Sequence, residues 1–317
     1  MRKIAGLTDT ARLKINVFPA TVLVFVILYA LGFSGILPAN VMRYLLQIFL
    51  YIALGEAWNL MSGFAGMTSL GQQLYVGLAG YAAAILTGIY MQPLPTVLPA
   101  AALVCVIAAI PVSAILFRMQ GMYFAVATWV AAEAAEKLFL NWKFVGQGSG
   151  MTIRLSPYPS VGVIYLLALT VCMLAVLTVY RITRSRLGMG LLAMRDDPVA
   201  AASIGLNLTR TRLTVYLLAA LISGLAGSVF FLNKGMIYPE SGFSISWTVS
   251  VVFVCIIGGA GTVAGPVIGA VIYVLLREYL AHYPGWSNIM LGAITLLVIF
   301  FFPEGIAGAL KKKKRIN

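Results

Sequence analysis

Ten apolar runs, most of them about as long as a bilayer is thick, divide this 317-residue chain. In the first half they cover residues 17–37, 41–60, 70–90, 96–117 and 121–140. In the second half they cover 161–181, 213–232, 244–257, 265–280 and 286–302. A lone segment in hydrocarbon satisfies its own N–H and C=O groups only as a helix. The pattern therefore predicts an all-α integral membrane protein with about ten transmembrane helices. Two second-half runs are short, so eight or nine crossings form the alternative count. With 61% hydrophobic and only 10% charged residues, a soluble domain of this size is excluded.

The formal charge of +13 raises nucleic acid as a partner. However, the basic residues sit at the ends and between apolar runs, with no aromatic or glycine interleaving, which suits the positive loops of a membrane protein. If the N-terminus is cytoplasmic, 16 of the 22 lysines and arginines fall inside. They are Arg2, Lys3, Arg12, Lys14, Arg118, six arginines between 181 and 212, and the 311–315 tail. The bias places both termini in the cytoplasm, which requires an even number of crossings. No small-residue cleavage site follows the first run, so no removed signal peptide is expected. The second run then crosses inward and the seventh outward. Residues 41–140 and 213–302 become candidate inverted-topology repeats within a single permease-like domain, a common transporter plan. Each block has a glycine-rich break near its second member, at 62–71 and 233–244.

Few residues can carry chemistry. Cys105, Cys172 and Cys255 lie inside apolar runs and read as small hydrophobes. No nucleophile–base pair, metal cluster or nucleotide loop is present, so no enzyme is expected. His282 falls in an outer turn with no partner at ligand spacing. Glu56 lies toward the inner end of the second run, one helical turn from Asn59, and is expected to snorkel or to pack between helices. Glu133 and Glu136 lie toward the outer end of the fifth run, where Lys137 can neutralise one of them. The break at 62–71 combines Gly63, Gly66 and Gly71 with Ser62, Thr68 and Ser69, and Gln72 and Gln73 follow it as polar contacts for a solute. It reads either as a broken segment lining a solute path or as tight packing through small residues. The glycines of IGGAGTVAGPVIGA, residues 257–270, suit close helix approach and a flexible cytoplasmic turn.

Residues 181–212 form the longest polar interruption. Asp197 suits an N-cap, Pro198 the first helical position and Gly205 a C-terminal stop. They predict a short surface helix on a cytoplasmic loop. Such a helix either lies on anionic lipid or docks a soluble partner. A transporter without a buried proton relay or an ATP site needs its energy from elsewhere, which gives a docking helix a purpose.

Five segments in order resemble the permease subunits of branched-chain amino-acid ABC importers, the LivM type. They are SGFAGMTSLGQQLYVGLAGYAAAIL (62–86), GQGSGM (146–151), SRLGMGLLAMRDDPVAAASIGLNLTRTRL (185–213), IGGAGTVAGPVIGA and FPEGIAG (302–308). The resemblance covers residues 56–308. It implies a second homologous permease, two cytosolic ATP-binding subunits and an extracytoplasmic solute-binding protein, in a bacterial inner membrane. ATP and Mg would be bound by the ATPases, with no cofactor on this chain. Arg195, Asp196 and Asp197 would orient a coupling helix on the 182–212 loop. Ala200, Ala201 and Ala202 would let an ATPase groove approach, and Gly205 would end the helix. The family's SLGH histidine is Gln72 here, followed by Gln73, Leu74 and Tyr75, a departure that bears on the solute. Permeases for urea, amides or other small solutes are the alternative, followed by a proton-coupled secondary transporter and a membrane scaffold that moves nothing.

Overall fold

The computed structural model describes residues 17–35, 37–280, 287–301 and 305–306. His282, the basic residues at both ends and most of FPEGIAG lie outside the described residues. The helices run α1 (Val17–Phe33), α2 (Ala39–Trp58), α3 (Gln73–Gly88), α4 (Leu94–Leu116), α5 (Met122–Asn141) and α6 (Val161–Thr183). They continue with α7 (Arg186–Asp196), α8 (Pro198–Ser203), α9 (Leu208–Lys234), α10 (Pro239–Gly242), α11 (Ser246–Gly258), α12 (Ala264–Leu280) and α13 (Ser287–Phe301). Each of the ten apolar runs holds one helix: α1 to α6, α9 and α11 to α13. Among the described residues, five stretches are long and apolar enough to cross a membrane: Ala39–Phe64, Leu94–Leu116, Val161–Thr183, Leu208–Lys234 and Pro239–Gly258.

Local chemistry sets the helix ends. Asn207 caps α9, its Oδ1 accepting from Arg210 N at 2.9 Å. The same helix stops at Gly235, whose φ of 76° is the left-handed turn that glycine adopts without steric cost. The run expected at 213–232 is therefore part of a longer helix that begins in the polar segment. That segment also differs from the loop expected between 182 and 212. It is mostly helical, with α7 and α8 joined at Asp197. Its charge had hidden α7, because polarity reports exposure and not the absence of helix.

Helix α2 is the central element. Its residues from Ile48 to Trp58 are all buried, and it packs on α6, α12, α9 and α11. The two halves exchange neighbours. Helices α3 and α4 pack on α9, as α11 and α12 pack on α2. Helix α3 also lies against α4 as α11 lies against α12, while α5 and α13 take matching outer places. Helix α1 stands apart and leans on α6, with Tyr29 and Thr170 sharing a hydrogen bond and Tyr165 donating to Leu28 O at 3.1 Å. Lipid supplies no hydrophobic drive between helices, so close approach and interhelical hydrogen bonds hold such a bundle. Helices α11 and α12 show the close approach: a Cβ at Gly269 would overlap the Val254 carbonyl.

A small cap closes the end opposite α7 and α8. Strands β1 (Met151–Thr152) and β2 (Met236–Ile237) pair antiparallel, Met151 with Ile237 and Thr152 with Met236. This ties the GQGSGM segment to the turn after α9. Tyr158, in the same loop as β1, donates to Leu232 O, and burial pushes its hydroxyl above the usual range.

Candidate functional site

The break after α2 is where the two halves and the polar segment meet. Helix α2 loosens into a π-helical turn, Asn59–Phe64, and the chain then runs irregularly to α3. π-Helical turns are rare and recur at functional sites. Backbone this irregular survives at depth only where other groups satisfy it, and here they do. Trp58 Nε1 donates to Ser69 O at 2.8 Å, and Leu70 N donates to Thr128 Oγ1 of α5 at 2.9 Å. Ser62 Oγ reaches Met67 O at 3.2 Å and accepts from Ser69 N at 3.4 Å. A Cβ on Gly71 would overlap the Thr128 carbonyl, so glycine there permits the approach of α5.

Gln72 and Gln73 sit deeper, both buried. Gln72 Nε2 donates to Ser223 Oγ of α9 at 2.7 Å, and its Oε1 has no hydrogen-bond partner. Gln73 Oε1 accepts from Thr248 of α11. Both amides thus tie α3 to the helices of the second half. Of Gly63, Gly66, Ser69, Gly71, Gln72 and Gln73, all expected at a path, only Gly66 faces the cavity described below. The other five pack inside the bundle or against its turns.

Asn59 is a site residue that sequence reading missed. It is fully buried and grips the turn between α11 and α12. Its Oδ1 accepts from Gly261 N at 2.7 Å and its Nδ2 donates to Thr262 O at 2.9 Å. The only sequence signal was its place one turn after Glu56. Of the two roles expected for Glu56, packing between helices holds and snorkelling does not: it is 0% exposed, and neither carboxyl oxygen has a hydrogen-bond partner. Lys137 pairs with Glu136 at 2.8 Å, on the exposed side of α5.

The polar segment packs against the break through Arg195, whose Nη1 donates to Gly63 O at 2.9 Å. Arg195 also pairs with Asp196 at 3.3 Å. Asp197 caps α8, its Oδ1 accepting from Val199 N at 2.9 Å and Ala200 N at 3.0 Å. The helix closes with Gly205 N on Ala202 O and Leu206 N on Ala201 O, at 2.9 and 3.1 Å. Gly205 has a φ of 89°, so the pair of bonds forms a Schellman stop. The three alanines do not share a face. Ala200 and Ala202 are exposed, whereas Ala201 is 2% exposed and packs inward. Val199 and Ile204 point out, at 76% and 80% exposure. Val199 in α8 and Ile204 just after it are the outward apolar features of this segment.

A cavity of about 600 Å³ lies between these elements. Gly66, Met67 and Thr68 of the break, Phe117 and residues 119–122 of the α4–α5 turn, and Arg195, Pro198 and Arg212 line it. Among the described residues, no group of three or more His, Cys, Asp or Glu could hold a metal ion. Chemically, the site offers an exposed apolar face, a buried polar latch and a cationic rim.

Comparison with known proteins adds a lineage. The family described as "branched-chain amino acid transport system / permease component" matches residues 40–301. The high-affinity branched-chain amino acid transport system permease protein LivM of Salmonella typhimurium is 28% identical over 287 residues, which is 81% of this chain and 67% of that protein. The protein of the same name from Escherichia coli is 26% identical over the same shares. A fructose import permease protein, FrcC of Rhizobium meliloti, is 29% identical over 43% of this chain and 39% of its own length. No solved structure matches the chain.

Proposed function

The chain belongs to the branched-chain amino acid transport permease family, and we propose that it is the membrane permease subunit of an ATP-driven importer of branched-chain or related hydrophobic amino acids. In this reading it pairs with a second homologous permease. Two cytosolic ATPases bind ATP and Mg and dock on the α7–α8 segment, while an extracytoplasmic receptor delivers solute. The membrane is the inner membrane of a bacterium.

The single observation that carries the docking role is α8. A six-residue helix is too short to persist on propensity alone. Here it is capped at both ends, and it still presents Val199 and Ile204 to solvent. Stability of this chain does not require that face, whereas a partner groove would bury it.

The arrangement of connections supports ten crossings with both termini in the cytoplasm. The break, the α4–α5 turn, the α7–α8 segment and the α11–α12 turn, all expected inside, gather around Arg195 and the neighbouring cavity. The GQGSGM segment and the turn after α9, both expected outside, pair as β1 and β2. The exchange of neighbours between α2 and α9 supports 41–140 and 213–302 as inverted repeats.

Reconstitution of the four-component assembly in vesicles tests the reading. Leucine uptake that needs receptor, ATPases and ATP is expected. Uptake that persists without ATPases, driven by a proton gradient, would sink it. A different small solute is the second reading, favoured by the fructose permease among the relatives. Binding assays on the cognate receptor separate the two.

A further inference from the structure

Arg195 does more than brace its own helix. Its guanidinium is bonded to two segments that are far apart in sequence, and the second of them abuts a third. Nε and Nη2 both lie 3.3 Å from Asp196 Oδ1 at the end of α7. Nη1 donates to Gly63 O in the π-helical turn. Gly261, in the α11–α12 turn, belongs to the third and lies beside Gly63: a Cβ on it would lie 3.3 Å from Gly63 O and 3.5 Å from Arg195 Nη1. The contact is tight on each side. A Cβ on Gly63 would overlap Asn59 Oδ1 and lie 2.5 Å from Gly261 N, and one on Gly66 would lie 2.9 Å from Arg195 Cγ.

The joined segments can change shape. A π-helical turn is one residue out of register with an α-helix and can be re-registered. Gly259 and Gly261 hold φ values of 111° and 78°, in a turn that Asn59 holds from the other half. Arg195 is also two residues from Asp197, the cap of α8. An exposed pair such as Arg195–Asp196 contributes little stability. It does hold the rigid, planar guanidinium so that Nη1 faces Gly63 O.

We propose that Arg195 is the positioning residue that carries displacement of α8 into both halves of the permease, through its bond to Gly63 in the first and, by the close approach of Gly63 to Gly261, into the α11–α12 turn of the second. The inference rests on the importer reading and adds the route by which force leaves the docking helix. Contiguous contacts between elements with two arrangements are the physical requirement for such coupling.

The test uses the complete importer in proteoliposomes, with solute uptake and ATP hydrolysis measured together. Arg195→Ala leaves the outer face of α8 untouched, so the ATPases co-purify and ATP turnover stays within about twofold of wild type. Uptake per ATP hydrolysed falls at least tenfold, and Arg195→Lys, a single-point donor, recovers part of it. An unchanged ratio in Arg195→Ala overturns the proposal, and so does loss of co-purification, which would make Arg195 a docking residue. A second measurement needs no variant. In the wild-type complex, hydrogen exchange at 59–66 and at 258–262 should change together when a non-hydrolysable ATP analogue is added. A change in only one segment, or in neither, overturns it. A wild-type complex without ATP-dependent uptake fails the importer reading instead, before any variant is compared.

Discussion

Asn59 holds Gly261 across 202 residues of sequence, accepting its N–H at 2.7 Å while donating to the next carbonyl, Thr262 O. One side chain in the first half thus makes two hydrogen bonds to a turn in the second. Asn59→Ala leaves the half-buried Gly261 N–H without that acceptor and should destabilise the protein by roughly 2 kcal/mol. Asn59→Asp keeps the acceptor, loses the donor and adds a buried charge, so it should be worse. Thermal unfolding in detergent checks the order, and an Asp variant more stable than the Ala variant would contradict it.

Gln72 and Ser223 form the matching link between α3 and α9, at 2.7 Å. In a bilayer such bonds contribute about 0.6 kcal/mol on average. A double-mutant cycle of Gln72→Ala and Ser223→Ala should give a coupling of about that size. Zero coupling would mean that Gln72 is free to serve the solute instead.

Asp197 organises α8 through two backbone N–H groups. Asp197→Ala should cost about 1 kcal/mol of local helix stability. Cleavage of the segment by a protease under fast reclosing should then rise about fivefold. Asp197→Asn, which keeps the acceptor, should cleave close to the wild-type rate.

The opposed orientations of Ala201 and its neighbours separate folding from docking. Ala201→Arg forces a charge into a buried contact and should lower the melting temperature of the chain itself. Val199→Asp and Ile204→Asp act on exposed positions, so the melting temperature should hold. ATPase affinity should instead fall at least tenfold for each, since burying a Val or Ile side chain contributes about 1.5–3 kcal/mol. Equal affinity in all three variants would remove α8 as the docking face.

Much of this was legible in residue order. Apolar runs located every long helix, because a lipid-facing segment has one way to satisfy its backbone. Asp197, Pro198 and Gly205 marked α8, because capping depends on a few adjacent residues. Glycines marked the break and the α11–α12 turn, because close approach and left-handed backbone both exclude a Cβ. The sequence by itself thus determined the helices, the interruptions and the family resemblance. Tertiary structure alone decided which interruptions meet. It paired Asn59 with Gly261 and Arg195 with Gly63, spent Gln72 and Gln73 on helix contacts, and turned Ala201 inward while Val199 faces out. The physical reason is distance along the chain: caps and spans are properties of neighbours, whereas each of these contacts depends on where a helix from elsewhere in the chain happens to pack.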